Sequence, residues 1–142
     1  MVRVHTCEFF VVDVDHDDAR VEVVRSARRF RTLQSFVSAI DEVLRAIDQA
    51  GASSFALLYD CRQAPSPSSR AYKRAILHMI EHLAKRFEPV AFVLSSQAAI
   101  AEVLPQASPS IDFFTNTEAA KNAIRHQVES ARIPVYAARL SS

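Results

Sequence analysis

His78-Met79-Ile80-Glu81-His82 matches a zinc-enzyme pattern by spacing. In H-x-x-E-H two histidines one helical turn apart bind zinc and the glutamate activates a water. The neighbouring residues argue against that use. At 100° per residue with Ile76 at zero, Tyr72, Met79, Ile80, Leu83 and Phe87 fall within about 60° of it, whereas His78 and His82 fall at about 200° and about 240°, beside Arg74 and Lys85. A catalytic zinc also needs a third ligand, an open coordination position and a water-excluding cleft. The pair reads as surface histidines, and no metal is assigned. Asp13, Asp15, Asp17 and Asp18 crowd one turn as calcium ligands would. Asp18 stands where the usual loop needs glycine, however, and Val24 where it needs glutamate, so the segment reads as a solvated hairpin turn.

Cys61 follows Asp60 at the end of an apolar run and precedes a helix start, a place where a thiol can be activated. No histidine adjoins it, and the Asp60 charge opposes thiolate formation. It reads as a structural cysteine, and with Cys7 as one of two free thiols. No Ser-His-Asp set can be assigned, so no catalytic residue and no cofactor is expected. Arg25, Arg28, Arg29 and Arg31 are the strongest charge asymmetry, with no acidic residue between Ala27 and Gln34. They could hold the phosphate groups of an anionic ligand next to a helix start. Arg28, Arg29 and Arg31 could equally be a solvated loop paired with the acidic turn. Phe30 alone makes no stacking platform, and packing against the helix is its simpler role, which disfavours nucleic acid.

These residues sit in a chain of 142, 49% hydrophobic and 23% charged, with 17 Lys+Arg against 16 Asp+Glu. That composition describes one globular domain able to bury roughly 68–70% of its unfolded surface. A formal net charge of +1 gives no whole-surface attraction to nucleic acid or membrane. Gly51, the single glycine, excludes glycine-rich phosphate cradles. Glu8 and Asp13 interrupt the first apolar stretch, and no run approaches the ~20 apolar residues of a membrane span. The expectation is a cytoplasmic, bacterial-type protein.

Cys7 to Val14, the acidic turn and Val21 to Val24 predict an antiparallel hairpin. Thr32 caps a helix bearing Leu33, Phe36, Val37, Ile40, Val43, Leu44 and Ile47, which Gly51 closes in a left-handed turn. Phe55 to Asp60 and Val90 to Leu94 are apolar enough for central strands. Between them lies a helix over about Ser68 to Arg86. Ser96 begins a short helix broken at Pro105, Asp112 to Phe114 forms a last strand, and Thr117 opens a helix through Val128. Residues 133–142 read as a tail, extended or loosely docked. The order is β-β-α-β-α-β-α-β-α, an α/β single domain over 1–132 with a mixed sheet whose later strands are parallel.

That order resembles the STAS or SpoIIAA-like domains over about residues 5 to 128. The likeness is carried by Phe55-Ala56-Leu57-Leu58-Tyr59-Asp60, by Val90-Ala91-Phe92-Val93-Leu94, and by Asp112-Phe113-Phe114-Thr115-Asn116-Thr117-Glu118-Ala119-Ala120. The resemblance implies a non-catalytic partner in bacterial regulation, in some members switched by phosphorylation at the start of the helix after the Asp-ended strand. The chain departs from the family there: Asp60 is followed by Cys61-Arg62-Gln63-Ala64-Pro65, and the serines come later, at Ser66, Ser68 and Ser69. A phosphate on one of them would meet a helix N-terminus, Arg62 and Arg70. In the simpler reading a serine caps the helix.

Two functions follow as expectations. The first is a protein-interaction module, meeting a regulator, kinase or scaffold through Arg62, Ser66, Ser68, Ser69, Arg70, Lys73, Arg74, Glu81 and His82, with a homodimer expected from base rates. The other is a small anion, nucleotide or lipid-binding module using Arg25, Arg28, Arg29 and Arg31 with Asp60-Cys61-Arg62. An open surface would favour the first and a closed pocket with convergent polar groups the second.

Overall fold

The computed structural model describes the backbone of residues 1–67 and 69–141 and the side chains of 1–67 and 69–130. Its centre is a six-stranded sheet in the order β1-β2-β3-β4-β5-β6. β1 (Val2–Thr6), β2 (Phe10–Asp15) and β3 (Arg20–Arg25) are antiparallel neighbours. β4 (Ala56–Asp60), β5 (Val90–Val93) and β6 (Ile111–Phe114) continue from β3 in parallel. The α/β single domain and mixed sheet agree with the sequence. The element order differs by one strand, because β1 precedes the expected hairpin.

α1 (Leu33–Gln49) and α2 (Arg70–Arg86) lie on one face of the sheet and α4 (Thr117–Ser141) on the other. Period-two alternation decides which residues meet which helices. Leu57 and Tyr59 of β4 and Val90 and Phe92 of β5 point to α1 and α2, together with Phe10, Val12 and Val14 of β2. Ala56, Leu58, Ala91 and Val93 point to Ala120 and Ile124 of α4. β4 and β5 are therefore covered on both faces, which is why they read as unbroken apolar runs.

Each helix starts where a side chain takes up a free backbone N–H. Thr32 Oγ1 accepts from Ser35 N at 3.1 Å, and Asn116 Oδ1 from Ala119 N at 3.0 Å. Ser69 Oγ accepts from Tyr72 N at 3.2 Å, so α2 begins at Arg70 and not at Ser68. α3 (Gln97–Val103), capped by Ser96 and followed by a single 3-10 turn at Leu104–Gln106, has no buried residue. Gly51 has φ +71°, the left-handed closure expected after α1. Residues 133–141, expected as a tail, continue α4, where Ala131, Arg132, Ala137, Ala138 and Arg139 are strong helix formers on either side of Pro134. No helix among the described residues is long and apolar enough to cross a membrane.

Candidate functional site

The parallel strands β3, β4 and β5 end at the same edge of the sheet, below α2 and α3. α1 and α2 are 17 residues each, but α3 has only 7 and brings just Ala99, Glu102 and Val103 to this edge. So small an element cannot fill the layer at the normal density of a protein interior. The result is a cavity of about 240 Å³. Its floor is Arg25 at the end of β3, Tyr59 of β4 with Cys61 just past its end, and Phe92 of β5 with Leu94 just past its end. α2 supplies Tyr72, Ile76, Met79 and Ile80, α1 supplies Phe36, and α3 supplies Ala99 and Val103. The loop from Ala64 to Pro67 covers it, and Glu102 stands on the α3 side. An outer cleft of about 530 Å³ shares Ser66, Pro67, Ile76, Ile80, Glu102 and Val103 and opens past Arg70 and Lys73.

The lining is mostly aromatic and aliphatic, with Ser66, Ser95 and Glu102 among it. Tyr59 stacks on Phe92 with centroids 5.1 Å apart, and Tyr72 meets Phe36 edge-on at 5.2 Å. Arg25 is its buried charge. Val21, Val23 and Arg25 share a face of β3, so alternation drives a guanidinium into the apolar side, where Arg25 is only 3% exposed. Its carbon Cζ lies 4.6 Å from the Phe30 ring centroid and 5.7 Å from that of Phe10. Nη1 donates to the Ser26 carbonyl at 2.7 Å. Nη2 is sealed from solvent and has no hydrogen-bond partner among the described residues.

The acid nearest in the sheet does not serve Arg25. Asp60 is paired with Val24, one residue away, and faces the opposite side. Arg62 takes both its oxygens, Nε on Oδ1 at 2.9 Å and Nη2 on Oδ2 at 2.8 Å, and the Arg62 backbone N–H adds a third bond at 3.2 Å. This bidentate pair raises the Arg62 pKa further. Burial, then the Asp60 charge, push the Cys61 thiol up to about 12, while the Arg25 charge pulls the other way. Cys61 Sγ donates to the Val93 carbonyl at 3.3 Å. Burial likewise raises Tyr59 well above its ordinary value, so its hydroxyl is a neutral donor.

The four arginines of the sequence reading are therefore not one site. Arg25 is buried behind the cavity, while Arg28, Arg29 and Arg31 are exposed around a separate polar hollow with Glu8 and Ser35. Arg28 Nε pairs with Glu8 at 3.2 Å, a partner other than the acidic turn, and Arg29 donates to the Ser66 carbonyl at 3.3 Å. In that turn Arg20 meets Asp18 and Glu22 at 3.2 Å each and Asp15 at 3.7 Å. Phe30 stacks on Phe9 at 4.0 Å and meets Phe36 of α1 edge-on at 5.3 Å, the helix packing expected of it.

Arg62, Ser66, Ser69, Arg70, Lys73, Arg74, Glu81 and His82 are all exposed, on the loop and the outward face of α2. His78 is exposed on the same helix, and Ser68 lies outside the described residues. Among the described residues no group of three His, Cys, Asp or Glu is placed to hold a metal ion. The cavity itself was not in the sequence reading. The parity of Val21, Val23 and Arg25 was the available signal, since it separates Arg25 from the later arginines. No family model, no curated protein and no solved structure matches this chain.

Proposed function

We propose that this protein is a small-molecule-binding module without catalytic chemistry, which takes a small, mostly apolar molecule into the cavity at the carboxyl ends of β3, β4 and β5. One observation carries this reading: about 240 Å³ of space, walled mostly by aromatic and aliphatic side chains, lies at the carboxyl ends of the parallel strands. A dry apolar cavity of about 150 Å³ already accepts benzene, so this one suits a single substituted ring or a short branched chain. Strand ends of a parallel sheet are the usual location of such sites. The polar loop over it, Ala64 to Pro67, provides an entrance whose movement need not disturb the sheet.

The test is a methyl-resolved NMR titration with benzyl alcohol, a neutral probe of fitting size. Shifts are expected at the methyls of Ile76, Met79, Ile80 and Val103, and Met79→Trp, which fills the space, is expected to remove them while signal dispersion stays. If those methyls do not respond in the wild-type protein, the cavity reading is wrong.

A second reading rests on a different surface. Arg70, Lys73, Arg74, Glu81 and His82 are exposed and enter none of the ion pairs among the described residues. A charged helix face beside exposed Ser66 and Ser69 supports the STAS-like reading, a cytoplasmic bacterial interaction module with an acidic or phosphate-responsive protein partner and a homodimeric state. On that reading Arg70→Glu combined with Arg74→Glu lowers partner capture from the source lysate several-fold and leaves thermal stability unchanged. Unaltered capture of the same partner would remove α2 from the interface.

A further inference from the structure

Resting on the cavity reading, we propose that the molecule bound there is a small monocarboxylic acid taken as its anion, with the carboxylate on Arg25 and an aromatic or short branched body between Phe36, Tyr72 and Phe92. The inference starts from a charge without a counter-ion. A buried guanidinium is normally paired, because an unpaired ion away from water is costly. Arg25 Nη1 donates to the Ser26 carbonyl and, at 3.5 Å, to the Ser26 hydroxyl, the guanidinium lies over Phe9, Phe10 and Phe30, and Nη2 has no hydrogen-bond partner among the described residues. None of the ion pairs among the described residues includes it. The protein does possess an acid at the adjacent register position. Asp60 is turned to the other side of the sheet and fully engaged by Arg62.

What is missing beside Arg25 is therefore one planar, singly charged acceptor. A carboxylate matches a guanidinium fork in both charge and geometry. A phosphate monoester brings about −1.5 to −2 charges and would leave part of that charge unmatched by a single cation. The other charged residue on the wall is Glu102, on the α3 side that faces the outer cleft. It disfavours a second acidic group there and sets the orientation, acid inward and apolar body outward. The cavity volume holds the ligand to about one ring with a short arm.

Benzoate and benzamide differ in charge at nearly the same shape, so calorimetry with both isolates the interaction with Arg25. At neutral pH benzoate is expected to bind at least about tenfold more tightly than benzamide, close to the factor that one charge-assisted hydrogen bond commonly brings. Arg25→Met is expected to abolish that preference, bringing the two affinities together. Met79→Trp is expected to abolish binding of both, which excludes Arg28, Arg29 and Arg31 as the source. The comparison on the wild-type protein stands even if Arg25→Met does not fold. Benzamide binding without a preference for benzoate overturns the inference and spares the cavity reading. A preference that survives Arg25→Met or Met79→Trp overturns it too, and no binding of either compound overturns both.

Discussion

Arg25 presents an energetic problem that the sheet creates and does not solve. Alternation along β3 forces the side chain inward after Val21 and Val23, so its charge is stripped of water by position alone. Desolvation of such an ion costs several kcal/mol even after relaxation. Against this, the closest ring contact, at 4.6 Å from Phe30, contributes about 2 kcal/mol. The hydrogen bond to the Ser26 carbonyl adds about 1.5–3 kcal/mol. The two sides come close to balance, with the bare Nη2 left as a cost of about 1–3 kcal/mol. A methionine of similar length removes the charge and keeps the packing. Arg25→Met should then leave the urea midpoint unchanged or raise it. A loss of more than about 1 kcal/mol in that measurement would mark the guanidinium as a structural group held by its rings.

At the level of elements, local chemistry made most boundaries legible. Thr32, Ser96 and the Asn116-Thr117 pair each stand at a helix start, because a short polar side chain there satisfies a backbone donor that nothing else can reach. β4 and β5 were legible because burial on both faces leaves almost no polar position, Asp60 at the end of β4 being the charged one. β1 was not. Its bulge between Arg3 and His5 breaks the alternation that identifies a strand, and the exposed charge of Arg3 suits an edge, where it deters pairing with another chain. The start of α2 was placed a residue or two early, since Ser66, Ser68 and Ser69 all have cap chemistry and only the folded loop selects Ser69. The candidate site divides in the same way. Parity shows that Arg25 points inward, but its lack of a partner depends on Asp60 turning to Arg62, and the cavity depends on how little α3 fills. Both are properties of tertiary packing that no local pattern encodes.

For the whole molecule, the titrating groups with shifted pKa values predict a stability plateau with two different edges. Asp48 of α1 bonds Arg86 of α2 and then Ser53, and both hold its carboxyl below the ordinary 3.8. Asp15 is held below 3.8 chiefly by the backbone N–H of Asp18. A group with a lower folded than unfolded pKa binds fewer protons folded, so its contribution is complete above about pH 4 and is lost as pH falls through the folded value. Asp48 is exposed and Asp15 half-buried, and solvent screening at the exposed pair should keep this acid limb shallow. Cys61 and Tyr59 work in the opposite direction. Their folded pKa values are raised, so the native state keeps protons that the unfolded chain gives up above 9.0 for the thiol and 10.0 for the phenol. Stability is then present below about pH 9 and falls as pH rises toward and beyond 12, with Cys61 starting the descent. Urea midpoints measured from about pH 3 to about pH 11 should therefore trace a shallow acid shoulder and a steeper alkaline one. Cys61→Ala should delay the alkaline descent until tyrosine begins to titrate, and Asp48→Asn should flatten the acid shoulder. A wild-type midpoint that stays level from about pH 8 to about pH 11 would mean that water reaches the Cys61 thiol and the Tyr59 hydroxyl freely. The floor of the cavity would then be wet, and an anion bound there would gain little from Arg25.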